Sequence, residues 1–484
     1  MHNLALALHE RGDRVTGSDD ELFEPSAGRL KAAGLLPATL GWEPARITPD
    51  LDAVVLGMHA RGDNPELLAA QALGLPIHSY PAFLYEASKD KTRVVVAGSH
   101  GKTTVTSMLL HALKAAGRRE DFMVGALLEG YSTMVRLSSE AEFMVLEGDE
   151  YLSSALEPLP KFHLYRANIA LITGIAWDHI NVFPTLEVYV EQFRQFLRTM
   201  EPGGAVVYNA DDPLVVDVVE SDQSPLKKIP YHTPAYRVVN ERTVLETPLG
   251  DVPLQVFGAH NASNVEAARW LAQEMGLDDE TFYESMTSFK GASKRLESLP
   301  TGNARVLAFK DFAHAPSKVK ATVAALREQF PNRRVVACLE LHTFSSLNPN
   351  FLPLYDGSLD GALAELQHRA VLDHSLFSVV KPWAAASTSA RRTMLDFFKD
   401  CYMISGFDDE SGQASRHSVS LVTARLCDSS NAPRQREVRD KIAFIEASFQ
   451  FHAVYAVPVE HIGIMARLQA MIETLRPREI HLDV

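Results

Sequence analysis

The sixteen residues VVVAGSHGKTTVTSML, positions 94 to 109, constrain the fold more than any other stretch of the chain. A β-branched run reads as a buried strand and stops at Gly98. Gly101, Lys102 and Thr103 then open a run with helical periodicity. Glycines between a strand and a helix let backbone N–H groups turn towards phosphate oxygens, and the helix N-terminus adds a favourable dipole. Gly98, Ser99, His100, Gly101, Lys102, Thr103 and Thr104 are therefore the expected nucleotide-phosphate cradle. Lys102 would neutralise β/γ-phosphate charge and the Thr103 hydroxyl would ligate Mg²⁺. The generic motif wants glycine where Val96 stands, and the competing reading is a plain Gly-rich turn. The loop alone leaves open whether the phosphoryl group is transferred, hydrolysed to drive motion, or sensed.

The surroundings predict an α/β chain of several domains. HNLALALHERG has helical periodicity ending at Gly12, RVTGSDD reads as a short strand with an acidic end, and LDAVVLGMHA and LPIHSYPAF continue the alternation. A doubly wound unit usually opens on a strand and Gly-rich turn, whereas this chain begins inside a helix, so either the fold starts unusually or about a dozen residues of such a unit are missing. The polar EASKDKTR is the expected first linker. RVVVAG, FMVLEGD, IALITGI and AVVYNADD are the strands of a larger central domain, and FKGASKRLE with LPTGNA mark a second boundary near residue 299. RVLAFKDFAH, the helix SKVKATVAALREQF and RRVVACLELH form an expected βαβ unit. The resulting division is 1–90, 91–298 and 299–484.

Net charge excludes one broad class. At −14 the chain lacks the basic face that wholesale nucleic-acid binding requires. Three cysteines without metal-ligand spacing fit a reduced, cytoplasmic compartment. No apolar run approaches the ~18 residues of a membrane span.

Acidic and amide residues gather at predicted strand ends. VLEGDEY supplies Glu147, Asp149 and Glu150, hard oxygen ligands suited to Mg²⁺ on the ligand side of an α/β sheet. GIAWDHINVF offers Asp178 and His179 for a metal or phosphate. In GAHNASNVEAA, His260, Asn261 and Asn264 could recognise adenine or simply cap a helix. Arg295 could clamp phosphate and Asp311 could take ribose hydroxyls, although each alone could be structural. Ser18, Asp19, His314, His342 and Ser345 are further substrate candidates.

In their order, GSHGKTT, EGDEY, DHINVF, NADD, GAHNASNVEAA, RLE and DFAHAPS closely resemble the Mur ligase family, over about Met1 to Leu359. That resemblance implies a three-domain architecture: a Rossmann-like UDP-sugar domain, a central P-loop ATPase domain and a Rossmann-like C-terminal domain for the amine. It implies ATP and Mg²⁺, with Lys102, Glu147 and His179 as catalytic residues and Thr103, Glu147 and His179 as metal ligands. The adenine-side residues would be Asn261 and Asn264, with Arg295 on phosphate and Asp311 on ribose. Family phosphate loops start later than the generic one, which accounts for Val96. Several members carry a carbamylated lysine after the histidine, but no lysine occurs here between Lys161 and Lys227. This feature, with EGDEY, KFHLY and WDHINVF, implies UDP-N-acetylmuramate as one substrate and L-alanyl-γ-D-glutamyl-meso-diaminopimelate as the other, in peptidoglycan recycling. Thr343 and Ser346 stand where the L-alanine-adding branch would carry arginines. The alternatives are L-alanine as acceptor in peptidoglycan biosynthesis, and a nucleotide-binding but inactive homologue.

Two departures carry expectations. Met1 and His2 resemble the last residues of the family's UDP loop, so UDP-sugar binding is expected to be weakened in the chain as written. After YDGSLDGALAE the resemblance stops, through divergence, fusion or a reading-frame error.

Overall fold

The computed structural model describes residues 1–154, 156–179, 182–299, 307–313, 315–333 and 335, together with the short antiparallel strands Met403–Ile404 and Ala453–Val454. They fall into two compact units, Met1–Ser293 and Lys294–Val484.

The first unit opens on the helix His2–Arg11 (α1), stopped by Gly12 at φ 101°, a left-handed conformation glycine adopts freely. Leu4 and Ala7 on its inner face are buried. RVTGSDD does not form the strand its composition suggests. Strand status needs a ladder partner, and Val54–Leu56 (β1) pairs only with Ile77–Ser79 (β2), in parallel. Arg14 to Asp20 run alongside neither, mostly exposed, with Gly17 in the middle. The helix Ser26–Ala32 (α2) precedes β1, and Pro65–Ala72 (α3) lies between β1 and β2, capped by Asn64, whose side chain accepts from Glu66 and Leu67 N–H. Tyr80–Glu86 (α4) follows, capped by Ser79.

EASKDKTR is a tied turn rather than a free linker. Helix α4 uses its first residue, and the next strand begins at Thr92. The buried Arg93 guanidinium reaches back to the carbonyls of Ser88, Lys89 and Lys91.

The centre of the unit is a seven-stranded sheet. Its strands are Thr92–Ala97 (β3), Asp121–Met123 (β4), Val135–Arg136 (β5), Phe143–Glu147 (β6), Ile169–Ile172 (β7), Ala205–Asn209 (β8) and Lys227–Tyr231 (β9), in the order β5-β4-β6-β3-β7-β8-β9. All neighbours are parallel except β4 and β5. Parallel sheets need both faces covered, and the apolar runs read in the sequence are the result. Val94 and Val96 face one core, while Val95 and Ala97 face the other. The first core is closed by Lys102–Ala115 (α5), Ala259–Glu274 (α9) and Asp279–Met286 (α10). The second is closed by Lys161–Leu164 (α6), Leu186–Thr199 (α7) and Pro213–Ser221 (α8). Helix α7 shows why: Tyr189, Val190, Phe193, Phe196 and Leu197 form one buried stripe at helical spacing. A small antiparallel sheet, Tyr236–Val239 (β10), Arg242–Thr247 (β11) and Gly250–Leu254 (β12), adds Leu245, Val252 and Leu254 to the first core.

Strand β3 lies between β6 and β7, so crossovers leave it in both directions. The C-terminal ends of β3, β6 and β7 thus meet at the switch point where α/β sheets bind ligands. No helix among the described residues is long and apolar enough to cross a membrane.

In the second unit, Glu297–Leu299 (β13) pairs antiparallel with Ala308–Lys310 (β14), and Pro316–Gln329 (α11) follows. The strand expected in RRVVACLELH lies almost wholly outside the described residues.

Candidate nucleotide and cation site

The loop after β3 is held open by close approach. Gly98 has φ +122°, and a Cβ there would stand 2.1 Å from Thr173 Oγ1 and 2.8 Å from Thr173 N. Gly101 has φ +77°, and its Cβ would meet Asn264 Oδ1 at 2.4 Å. Neither position admits a side chain without displacement. The loop is pinned from β7 as well: Ser99 N donates to Gly174 O at 2.9 Å and Thr173 Oγ1 donates to His100 O at 2.5 Å. Val96 is fully buried in β3, paired to Glu147 and Leu171, so the strand occupies the place of the generic motif's first glycine.

Helix α5 starts at Lys102, placing Lys102, Thr103 and Thr104 in its first turn, where N–H groups lack intrahelical acceptors. Thr103 Oγ1 donates to Glu147 Oε1 at 2.8 Å. Glu147 closes β6, and its other oxygen accepts from Gly125 N at 2.8 Å. Lys102 Nζ donates to Glu150 Oε2 at 2.5 Å and to Gly98 O at 2.7 Å.

Glu150 is the hub of the site. It is 1% exposed, and its Oε1 accepts from Tyr189 OH at 3.0 Å and lies 3.5 Å from His179 Nε2. Tyr189 OH also shares a 2.8 Å hydrogen bond with Ser99 Oγ, joining the acidic turn to the phosphate loop. His179 has φ 52°, a left-handed conformation uncommon outside glycine, and its N–H donates to Asp178 Oδ1 at 2.8 Å. Ligand atoms of Asp149, Glu150 and His179 lie within 4.8 Å of one another. The structure therefore groups His179 with Asp149 and Glu150, whereas Glu147 sits with Thr103. The turn through Gly148 separates the carboxylates: its N–H donates to Val96 O at 2.8 Å, and a Cβ there would meet Val95 Cγ1 at 2.7 Å.

Charge shapes this region. Burial alone would lower the Lys102 ammonium, but Glu150, Asp149 and Glu147 hold it above its ordinary value. Burial would raise the Glu150 carboxyl, yet Lys102 and the His179 hydrogen bond hold it far below the usual carboxylate range. Burial would likewise lower His179, while the hydrogen bond and charge of Glu150, with Asp178 and Asp149, raise it. Three carboxylates face Lys102, and Lys161 Nζ adds a contact to Asp149 Oδ2 at 2.6 Å. Oxygen donors converging from two strand ends form a donor set that suits a hard divalent cation.

The remaining sequence candidates are distributed. Asn261 and Asn264 are buried in the first turns of α9: Asn261 Nδ2 donates to Phe257 O at 2.9 Å, and Asn264 Oδ1 lies against Gly101. Their amides brace the helix start and the phosphate loop. The N-cap of α9 is Gly258, without a side-chain cap, and His260 is partly buried next to it. Ser18 Oγ donates to Glu66 Oε1 and accepts from Arg46, both at 2.8 Å, and Asp19 O accepts from Gly41 N. In the second unit, Asp311 accepts from Leu296 N and Ala313 N, each at 2.8 Å, and Arg295 stacks on Phe312 at 5.2 Å. His314, Thr343, Ser346, His342 and Ser345 lie outside the described residues.

Three participants lie outside the candidates drawn from the sequence. Tyr189 looks like any aromatic of a buried stripe. Gly125 carries no local signal, although a Cβ there would come within 3.0 Å of Glu147 Oε1. Asp212 of NADD caps α8 with one oxygen and accepts Ile175 N at 2.8 Å with the other, fixing the loop after β7.

Comparison with known proteins places this arrangement. Residues 1–92 match the profile described as Mur ligase family, catalytic domain, and residues 96–272 match Mur ligase middle domain. The UDP-N-acetylmuramate–L-alanine ligase of Polaromonas naphthalenivorans (strain CJ2) is 31% identical over 367 residues, 71% of this chain and 74% of the relative. That of Ralstonia nicotianae (strain ATCC BAA-1114 / GMI1000) is 32% identical over 370 residues, 71% and 74%. Among solved structures, UDP-N-acetylmuramate:L-alanyl-γ-D-glutamyl-meso-diaminopimelate ligase from Neisseria meningitides is similar at 28% identity and TM-score 0.53, covering 60% of this chain and 94% of that one. The UDP-N-acetylmuramate-alanine ligase from Thermotoga maritima shares the fold at 21% identity and TM-score 0.56, covering 74% and 80%.

Proposed function

We propose, from the premise that this chain belongs to the Mur ligase family and is an ATP-dependent ligase of peptidoglycan synthesis forming an amide bond, that it joins L-alanine to UDP-N-acetylmuramate. The observation that carries this reading is the set of curated relatives of that activity, 31–32% identical over 71% of the chain. The sequence reading put the tripeptide L-alanyl-γ-D-glutamyl-meso-diaminopimelate first, and these relatives favour L-alanine instead. The tripeptide stays as a second reading, supported by the 28% identity to the Neisseria meningitides ligase. In either case residues 1–90 would hold the UDP sugar, 91–298 ATP, and 299–484 the amine.

The chemistry follows from a poor electrophile. An amine cannot expel oxide from a carboxylate, so the muramoyl carboxylate first takes the γ-phosphoryl group of ATP as an acyl phosphate. The amine then attacks that carbonyl and phosphate departs. Lys102 would neutralise the transferring group, and the first turn of α5 would supply N–H donors to it. Thr103 and Glu147 would hold one Mg²⁺, and His179 with Asp149 and Glu150 a second. Bound there, Mg²⁺ supplies charge neutralisation between nucleotide and carboxylate. Asp311 and Arg295 would contact ribose and phosphate once released from their present partners, and Asn261 and Asn264 would frame the adenine side.

The test offers each amine separately with UDP-N-acetylmuramate, ATP and Mg²⁺, following phosphate release and product mass. Turnover with L-alanine alone supports the proposal, and turnover with the tripeptide alone transfers it to the second reading. ATP binding without amide from either amine identifies an inactive homologue.

A further inference from the structure

We infer that Glu150 is a positioning residue that exchanges partners: it holds the Lys102 ammonium while no nucleotide is bound, and yields it when phosphates enter the loop, leaving its carboxylate to a divalent cation. The inference rests on the reading of Lys102 as the phosphate-binding lysine. Two of the three Lys102 N–H donors are committed inside the protein, to Glu150 Oε2 at 2.5 Å and Gly98 O at 2.7 Å. Nucleotide phosphates in the cradle compete for the same ammonium with several charged oxygens.

When Lys102 leaves, Glu150 becomes a buried carboxylate, 1% exposed, without its cation. Its Oε1 keeps Tyr189 OH at 3.0 Å and His179 Nε2 at 3.5 Å, while Oε2 loses its charged partner. An uncompensated buried charge is strongly unfavourable. A cation seated among Asp149, Glu150 and His179 removes that penalty, because their ligand atoms already lie within 4.8 Å. Nucleotide and cation binding are thereby coupled through one carboxylate, and each must favour the other by the same factor. Without a cation, nucleotide binding carries the cost of breaking the Lys102–Glu150 pair. Neutralising Glu150 removes this cost, so the inference predicts a gain where a merely structural role predicts a loss.

The experiment measures ATP binding to the full chain by calorimetry, in EDTA and in Mg²⁺, for wild type, Glu150→Gln, Glu150→Asp and Lys102→Ala. In EDTA, Glu150→Gln should bind ATP about 10-fold more tightly than wild type, and the Mg²⁺ advantage should shrink by a similar factor, within the usual range of coupling energies. Unchanged or weaker binding in EDTA by folded Glu150→Gln overturns the inference. Should that variant not fold, Glu150→Asp decides: shortened by one methylene, it no longer reaches Nζ and should still bind metal-free ATP more tightly than wild type, by about 3-fold. No gain there overturns the inference equally. Lys102→Ala separates the two readings. If it binds ATP as wild type does, Lys102 is not the phosphate lysine and both readings fall; if it loses binding while neither Glu150 variant gains, only the exchange falls.

Discussion

Arg93 should be the most costly single side chain to remove from the first unit. It is 3% exposed at the start of β3, and six acceptors surround its guanidinium. Nε donates to Tyr165 O and Arg166 O at 2.9 and 3.0 Å. Nη1 serves Ser88 O, Lys89 O and Lys91 O at 3.0 to 3.1 Å, and Nη2 meets Glu201 Oε1 at 3.1 Å. Five N–H groups cannot make six full hydrogen bonds, so several are shared. Taking about three effective charged hydrogen bonds at the lower end of their usual worth, Arg93→Met should lose about 4–5 kcal/mol. The loss falls on the turn between α4 and β3, so urea unfolding followed by Trp177 and Trp270 fluorescence should shift, and trypsin should cut faster at Lys89 and Lys91. Arg93→Lys keeps the charge and fewer donors, and should recover part of the loss. An Arg93→Met variant within about 1 kcal/mol of wild type would refute the reasoning, because at least three buried carbonyls would then have lost their donors without penalty.

Other perturbations test the site. Gly98→Ala should destabilise the first unit by about 3 kcal/mol, since its Cβ meets a side chain that could move and a backbone nitrogen that cannot; pairing it with Thr173→Ala should restore only part of the urea midpoint. Glu147→Gln should reduce amine-dependent phosphate release by about 10²-fold or more, while ATP binding in EDTA stays near wild type; equal losses in both assays would assign Glu147 a purely structural role. Burial lowers His163, outweighing the raising effect of its hydrogen bond to Gln192 O at 2.7 Å. With the folded value below the unfolded one, the unfolded state binds more protons between them, so stability falls as pH drops below about 6.5. His163→Phe should flatten the urea midpoint between pH 7 and 5, and an unchanged slope would exclude His163 as its source.

How much of this was legible depends on what each residue answers to. Strands β3, β6, β7 and β8 could be read because both faces are buried, which forces uninterrupted apolar runs. RVTGSDD shows the opposite case: its composition suits a strand, but a strand is defined by a ladder partner, and β1 pairs elsewhere. Likewise the polarity of EASKDKTR suggested a linker, because three of the six acceptors around Arg93, on Tyr165, Arg166 and Glu201, come from residues more than seventy positions away.

The acidic turn marks the limit of pattern reading most sharply. Sequence places Glu147, Asp149 and Glu150 together at a strand end, and that much follows from the apolar run before them. Which carboxylate faces which partner depends on how the chain turns at Gly148, and that turn is fixed by the approach of Val95 and Val96 from the neighbouring strand. Glu147, still in β6, therefore meets Thr103 at the start of α5, while Glu150, beyond the turn, lies under Lys102 and beside His179. Three positions of sequence thus separate two roles that composition alone makes equivalent. The difference is testable on charge: neutralising Glu147 removes a partner of Thr103 and leaves metal-free ATP binding near wild type, whereas neutralising Glu150 frees Lys102 and tightens it, so substitutions of the same residue type in one turn would give different outcomes.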